Sequence, residues 1–142
     1  MLELTPRFAQ LYELQAALLE PRLEAIGIGL STFQLLSAVR GAGDQASQAE
    51  IARRLAVTPA TLSETVAGHV RRGLLEQTRS PQDKRVRILV LTAQADELLD
   101  RALVEIGVIE TLLRESIPDT ARASLTKTMD RLIATMEKAL ES

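Results

Sequence analysis

The sequence predicts a mostly α-helical chain with a small β-wing, and three observations carry that prediction. Apolar residues recur at three- and four-residue spacing over most of the chain, the period of helices that bury one side. Two runs rich in aliphatic and β-branched residues, Leu75 to Arg79 and 85–91, flank Ser80-Pro81-Gln82-Asp83, where proline stands second in a type I turn. Gly27, Gly29, Gly41, Pro59, Gly73 and Pro118 fall between the periodic stretches, where a chain must change direction.

The first helix is expected over residues 2–25. Its apolar residues Leu4, Phe8, Leu11, Leu14, Leu18, Leu19 and Leu23 spread over more than one face, so it needs partners on two sides. Pro21 kinks it or starts a new turn after Glu20, since a mid-helix proline loses a hydrogen bond and clashes with the preceding turn. Beyond the break at 26–29, Ser31 with Gln34 predicts a capping box that opens a helix through Leu35, Leu36 and Val39. That helix should stop at Gly41, in the C′ position that glycine favours. A loop through Asp44 then leads to the central stretch, residues 47–92.

Ser47 followed by Glu50 predicts a reciprocal capping box, with the hydroxyl accepting from the Glu50 amide and the carboxylate returning to the Ser47 amide. Ile51, Ala52 and Leu55 give the short helix its apolar stripe. Thr58 and Pro59 open a second helix at once, threonine as the cap and proline at the first helical position. On it Leu62, Val66 and His69 or Val70 face inward, while Ala60, Thr61, Glu64, Ala67, Gly68 and Arg71 face outward. That outer side is small or polar, able to approach base edges closely. The helix ends near Gly73, and the charged ribbon follows. Two short helices joined by a tight turn, then a ribbon with a charged tip, outline a winged helix-turn-helix, which offers one helix to a major groove and a loop to the neighbouring backbone.

After Thr92 a wide apolar stripe of Leu98, Leu99, Ala102, Leu103, Ile106, Ile109, Leu112 and Leu113 predicts a helix to about residue 116. Gly107 weakens it by roughly 1 kcal/mol relative to alanine. Beyond Pro118, Leu125, Met129, Leu132 or Ile133, Met136 and Leu140 repeat every three or four residues, a stripe suited to a helical partner. A lobe of about fifty residues has little use for three extra amphipathic helices unless they build a platform. The expected organisation is therefore one domain over 1–142, with a DNA-binding lobe at 31–92 and dimerisation helices at 1–30 and 93–142. Leu4, Phe8 and Leu11 with Leu125, Met129, Leu132, Met136 and Leu140 are the expected dimer contacts.

Composition excludes several classes. Cysteine is absent, so the chain has no disulfide and no thiol for redox sensing, in keeping with a reducing cytoplasm. No run of about eighteen uncharged apolar residues suggests a membrane span, and Glu3, Arg7 and Glu13 spoil the layout of a secretion signal. No glycine-rich phosphate loop and no Ser–His–Asp or cysteine arrangement is recognisable, so an enzyme is not expected and no cofactor is required. Paired acids such as Glu115 and Asp119 read as solvated helix ends. The net charge of −2 is unevenly divided: residues 44–92 hold eight Lys or Arg against five acids, net +3, which leaves −5 for the rest. Charges more than about 10 Å apart are screened at physiological salt, so a basic ribbon on an acidic body can still bind phosphate.

The central stretch resembles the MarR family of bacterial transcription regulators. The residues that carry the resemblance are Gly73-Leu74, the strand Leu75 to Arg79, the Asp83-Lys84-Arg85 turn and Leu91-Thr92, together with Gly29-Leu30-Ser31 and Gln34 upstream. The chain departs from the family pattern at His69 (usually apolar), Gly68 (commonly basic) and Ala95 (usually glycine). The resemblance implies a homodimer that reads a pseudo-palindromic operator on double-stranded DNA, usually as a repressor, and is modulated by a small aromatic or phenolic effector. It implies that Arg85, held by Asp83 beside Lys84, enters the minor groove. From their positions, Thr58, Thr61, Ser63, Glu64 and Arg71 are candidates for base or phosphate contact, and Arg53, Arg54, Arg72, Arg79 and Arg87 for phosphate contact. A dimeric winged-helix interaction module that no longer binds DNA is the alternative, kept open by Gly68 and the few cations on the outer helix face. His69, the single histidine, is a packed, hydrogen-bonded ring or else a pH-sensitive or metal-binding one. Phe8, Tyr12 and Phe33 are core residues or the lining of an effector pocket.

Overall fold

The computed structural model describes residues 1–142, and its first element, α1 (Thr5–Glu24), runs through Pro21 as one helix. The remaining elements are α2 (Leu30–Ala42), a 3₁₀ turn (Gly43–Gln45), α3 (Gln48–Leu55), α4 (Pro59–Arg71), β1 (Leu75–Arg79), β2 (Arg87–Leu91), α5 (Ala93–Ser116) and α6 (Asp119–Leu140). The mostly α class with a small β-wing is what the sequence predicts. The chain divides into two compact units, Met1–Ile106 and Gly107–Ser142, and the division falls at Gly107 within α5.

In the first unit α2 packs against α1, α3 and β2, and α3 packs against α4. Leu23, Leu35, Leu36, Ile51, Leu62, Val66, Leu75, Leu89 and Leu99 are almost fully buried and form its core. The strands pair antiparallel in the register Leu75↔Leu91 to Arg79↔Arg87. A short bridge, Ser47↔Ile88, and the Leu89 N–H donating to the Ala46 carbonyl at 2.8 Å tie the ribbon to the start of α3. Arg40 on α2 reaches α5, bonding the Asp96 carboxylate at 2.9 Å and Asp100 at 2.7 Å, and Arg22 on α1 reaches Glu105 at 3.1 Å.

Two sequence expectations are corrected at α2. Ser31 and Gln34 form no capping box: Gly29 is the N-cap, the helix opens at Leu30, and the Gln34 amide donates to the Tyr12 hydroxyl at 3.0 Å. The helix passes Gly41 and ends at Ala42, with Gly43 as its C-cap at φ 57°, a positive value open to glycine. At α1, Pro21 starts no new helix. Its missing N–H leaves the carbonyl one turn earlier without its usual partner. Phe8 and Tyr12 are not core residues of the single chain: they are about half exposed at 48% and 57%.

In the second unit α6 starts after Pro118, as expected, and Arg122 pairs with Asp119 at 2.9 Å. Leu125, Met129, Ile133, Met136 and Leu140 are exposed and Leu132 is half-buried, so α6 has an apolar side without cover in the single chain. No helix is long and apolar enough to cross a membrane.

Candidate nucleic-acid interface

The helix-turn-helix is built from local bonds that the sequence dictates. Ser47 caps α3 through the Glu50 amide at 3.1 Å, but the return half of the box is not made. The Glu50 carboxylate instead takes Arg53 at 2.7 Å and Arg54 at 3.0 Å, two cations within one turn that outcompete a neutral amide. Those hydrogen bonds, Arg53 first and Arg54 next, hold the Glu50 carboxyl down at about 2. The turn to α4 passes through Ala56 at φ 54°, a left-handed residue without a glycine's freedom. Thr58 then caps α4, its hydroxyl accepting from the Thr61 amide at 3.1 Å and donating to the Thr61 hydroxyl at 2.9 Å.

α4 buries Leu62, Val66 and His69 and leaves Val70 37% exposed, so of the two alternatives histidine takes the inward place. Thr61, Ser63, Glu64, Ala67 and Arg71 are exposed. After Arg72 the helix closes in a Schellman motif. The Gly73 amide reaches the Val70 carbonyl at 3.0 Å, the Leu74 amide reaches His69 at 2.9 Å, and Gly73 has φ 75°. Thr92 donates to the Gly73 carbonyl at 2.7 Å and locks that corner to the end of the ribbon.

The wing differs in detail from the sequence reading. β2 starts at Arg87 and not at residue 85, and the hydrogen-bonded turn is the Val86 amide to the Asp83 carbonyl at 2.9 Å. Ser80 turns the chain with its side chain, accepting the Gln82 amide at 3.3 Å, so the charged tip lies three residues later than proline suggested. The Arg85 side chain is 91% exposed, yet Asp83 holds it through its backbone amide at 3.0 Å and its guanidinium at 3.2 Å. The side-chain bond and then the backbone bond from Arg85 keep the Asp83 carboxyl below its ordinary range. Arg79 donates to the Lys84 carbonyl at 3.0 Å and bridges the base of the tip. Arg79 and Arg87 are register partners, like charges facing each other on one side of the ribbon. Such a pair is unfavourable unless an anion lies between them.

The predicted residues thus fall into three groups. Thr58, Thr61, Ser63, Glu64, Arg71 and Arg72 belong to α4; Arg79, Asp83, Lys84, Arg85 and Arg87 belong to the wing; Arg53 and Arg54 are tied to Glu50 on α3. Sequence reasoning missed Arg40 as the link from α2 to α5, although Asp96 and Asp100 stand four apart, the spacing of one helix face. It also missed Thr32, buried opposite His69.

A cavity of about 450 Å³ lies in the first unit beside the end of α1 and the start of α2, lined by Glu20, Glu24, Gly29, Leu30, Ser31 and Gln34. Phe8, Tyr12 and Phe33 are not among its lining residues.

The MarR family model matches residues 26–86, the helix-turn-helix and most of the wing. Among solved structures, MepR from S. aureus in complex with DNA superposes with a TM-score of 0.80 at 17% identity, over 95% of this chain and 99% of that one. A mutant MarR from E. coli complexed with operator DNA gives 0.75 at 20% identity, over 91% and 92%. CouR from Rhodococcus jostii, bound to p-coumaroyl-CoA, gives 0.76 at 19% identity, over 87% of each chain. The winged fold is therefore shared over most of the chain. No curated protein matches the sequence significantly.

Proposed function

We infer that this chain, which the MarR family model matches over residues 26–86, belongs to that family and is a sequence-specific DNA-binding transcription regulator, a cytoplasmic repressor that binds a pseudo-palindromic operator as a homodimer. The observation that carries the reading is Arg85: a guanidinium almost wholly in solvent, yet braced by its own turn. An exposed cation that is already oriented loses little freedom on meeting a narrow, negative minor groove. α4 supplies the second surface. Its exposed threonines, Ser63 and Glu64 suit base edges and phosphate, with Arg71 and Arg72 at the far end. Two relatives of the same fold were solved on DNA, which supports the same use here.

Arg53 and Arg54 contribute less than the wing, because Glu50 already neutralises one charge between them. The dimer would be built by α1 and by α6 with the end of α5, whose apolar residues Leu4, Phe8, Leu11, Leu125, Met129, Leu132, Met136 and Leu140 would meet the partner. Regulation would act through the cavity beside α2. A phenol fits its lining better than an aromatic acid, since a hydroxyl can donate to Glu20 or Glu24 while a carboxylate would be repelled. No catalytic role is proposed.

Titration into duplex DNA at several salt concentrations tests the reading. The affinity should fall steeply with salt, and Arg85→Ala should weaken binding and reduce the logarithmic salt slope by about 1. Binding that ignores both salt and Arg85 would defeat it in favour of a protein-interaction module.

A further inference from the structure

His69 is the one histidine of the chain, it is buried on α4, and both of its ring nitrogens are engaged. Nδ1 lies 2.7 Å from the Thr65 carbonyl one turn back on the same helix. A carbonyl only accepts, so Nδ1 carries the proton, and in the neutral ring Nε2 must be the acceptor. Nε2 lies 3.0 Å from the hydroxyl of Thr32, which is itself buried, on α2. The ring thus works as a fixed spacer between two helices: it donates back to its own helix at the Thr65 carbonyl and accepts from the Thr32 hydroxyl of α2.

We propose that His69 is the positioning residue of the DNA-binding surface: bonded to Thr32, it fixes the rotational setting of α4 on α2 and so the direction in which Thr61, Ser63 and Glu64 point. The inference rests on the DNA-binding reading above. Leu62 and Val66 also bury α4, but apolar packing is non-directional and tolerates rotation of a helix about its axis, whereas one buried hydrogen bond does not. Base contacts need their donors and acceptors within a few tenths of an ångström, while phosphate attraction needs only nearby charge. Loss of the Thr32–His69 bond should therefore damage sequence discrimination and spare non-specific affinity.

The Thr32–His69 bond also gives α2 a second role. Thr32 follows Leu30 and Ser31, which line the cavity, so the same helical turn faces the cavity at one point and holds α4 at another.

The test uses Thr32→Val, which keeps the shape and removes the donor, and Thr32→Ser, which restores it, in the full-length protein. First, ¹⁵N spectra of the imidazole should show a protonated Nδ1 and an unprotonated Nε2, with the Nε2 resonance moving in Thr32→Val and returning in Thr32→Ser. Second, amide exchange along α4 should accelerate in Thr32→Val and recover in Thr32→Ser. Third, the ratio of affinities for a selected duplex and a random duplex should fall about tenfold in Thr32→Val at an unchanged salt slope, whereas His69→Gln, with Thr32 in place, should retain much of it. Gln15 already donates to the carbonyl four residues back, at 3.2 Å, so a glutamine can copy the geometry of Nδ1 and offer its oxygen to Thr32. A wild-type protein that discriminates between duplexes, with Thr32→Val discriminating equally, overturns the positioning role. So does an Nε2 that carries the proton. A wild-type protein that shows no preference overturns the DNA-binding reading instead, and α4 exchange then decides the positioning role alone.

Discussion

At the scale of single residues, the strongest local anomaly is Ala56, the only non-glycine residue with positive φ. It lies in the turn between α3 and α4, where the helix-turn-helix needs a left-handed residue. An L-residue there costs about 1–2 kcal/mol, and a glycine gives back about 0.4–1 kcal/mol through a more flexible unfolded chain. Ala56 is exposed and buries nothing, so Ala56→Gly should stabilise the protein by about 0.5–1 kcal/mol, measured as a shift in the denaturant midpoint at constant m. Glu50 gives a second expectation. Its folded pKa of about 2 lies below its ordinary 4.5, so the stability from its arginine pairs is present above about 4.5 and is lost as the pH falls from there toward 2. Thermal melts over that window should show a shallower loss in Glu50→Gln, because the variant has no carboxyl to protonate. Residue chemistry was readable where a side chain bonds its own neighbours, as with Thr58 on Thr61 and Asp83 on Arg85. It was unreadable where a distant group wins the competition, as when Tyr12 takes Gln34, or where several neighbours compete for one group, as when Arg53 and Arg54 take the Glu50 carboxylate from the Ser47 amide.

At the scale of elements, periodicity placed all six helices and both strands, because burial on one side dictates the spacing of apolar residues. The boundaries that slipped are informative. α2 overran Gly41 because a glycine inside a helix is a weak stop, and the positive φ fell to Gly43 instead. The wing tip moved to Asp83–Val86 because side-chain and backbone bonds of Ser80 close the loop more firmly than the proline turn would. Pro21 is the clearest case of tertiary context overriding local preference. The helix accepts the loss of one hydrogen bond because Leu19 and Leu23, on either side of the proline, are buried in the first unit. Pro21 itself is exposed, so Pro21→Ala should restore the bond and stabilise α1 by about 1–3 kcal/mol. Slower hydrogen exchange at the neighbouring amides of α1 in the variant would report the gain, and unchanged protection there would refute it.

At the scale of the whole molecule, the chain leaves an unusual amount of apolar side chain in water. Leu4, Phe8, Leu11, Leu14 and Leu18 of α1 are each about half exposed, and Leu125, Met129, Ile133, Met136 and Leu140 of α6 range from 39% to 72%. These residues repeat at helical spacing, so the exposure is two continuous stripes and not scattered surface leucines, and stripes of that kind mark an association surface. Such a role also explains why the sequence could show which residues are apolar but not that they lie outside the core of a single chain: the pattern of a helix is the same whether a neighbouring helix or a second subunit covers it. If a second copy covers both stripes, the protein should sediment as a dimer, and Met129→Glu with Met136→Glu should yield a folded monomer, since neither methionine is buried in the single chain. The consequence for DNA is larger than the lost contacts. A dimer binds its second half-site at an effective concentration set by the linkage of its lobes, which raises affinity for a two-half-site duplex by about 10²–10⁴-fold over a single lobe. The monomeric variant should lose that factor on the full operator and nothing on an isolated half-site. Equal losses on both duplexes would mean that the terminal helices support the fold of each lobe and do not join two of them.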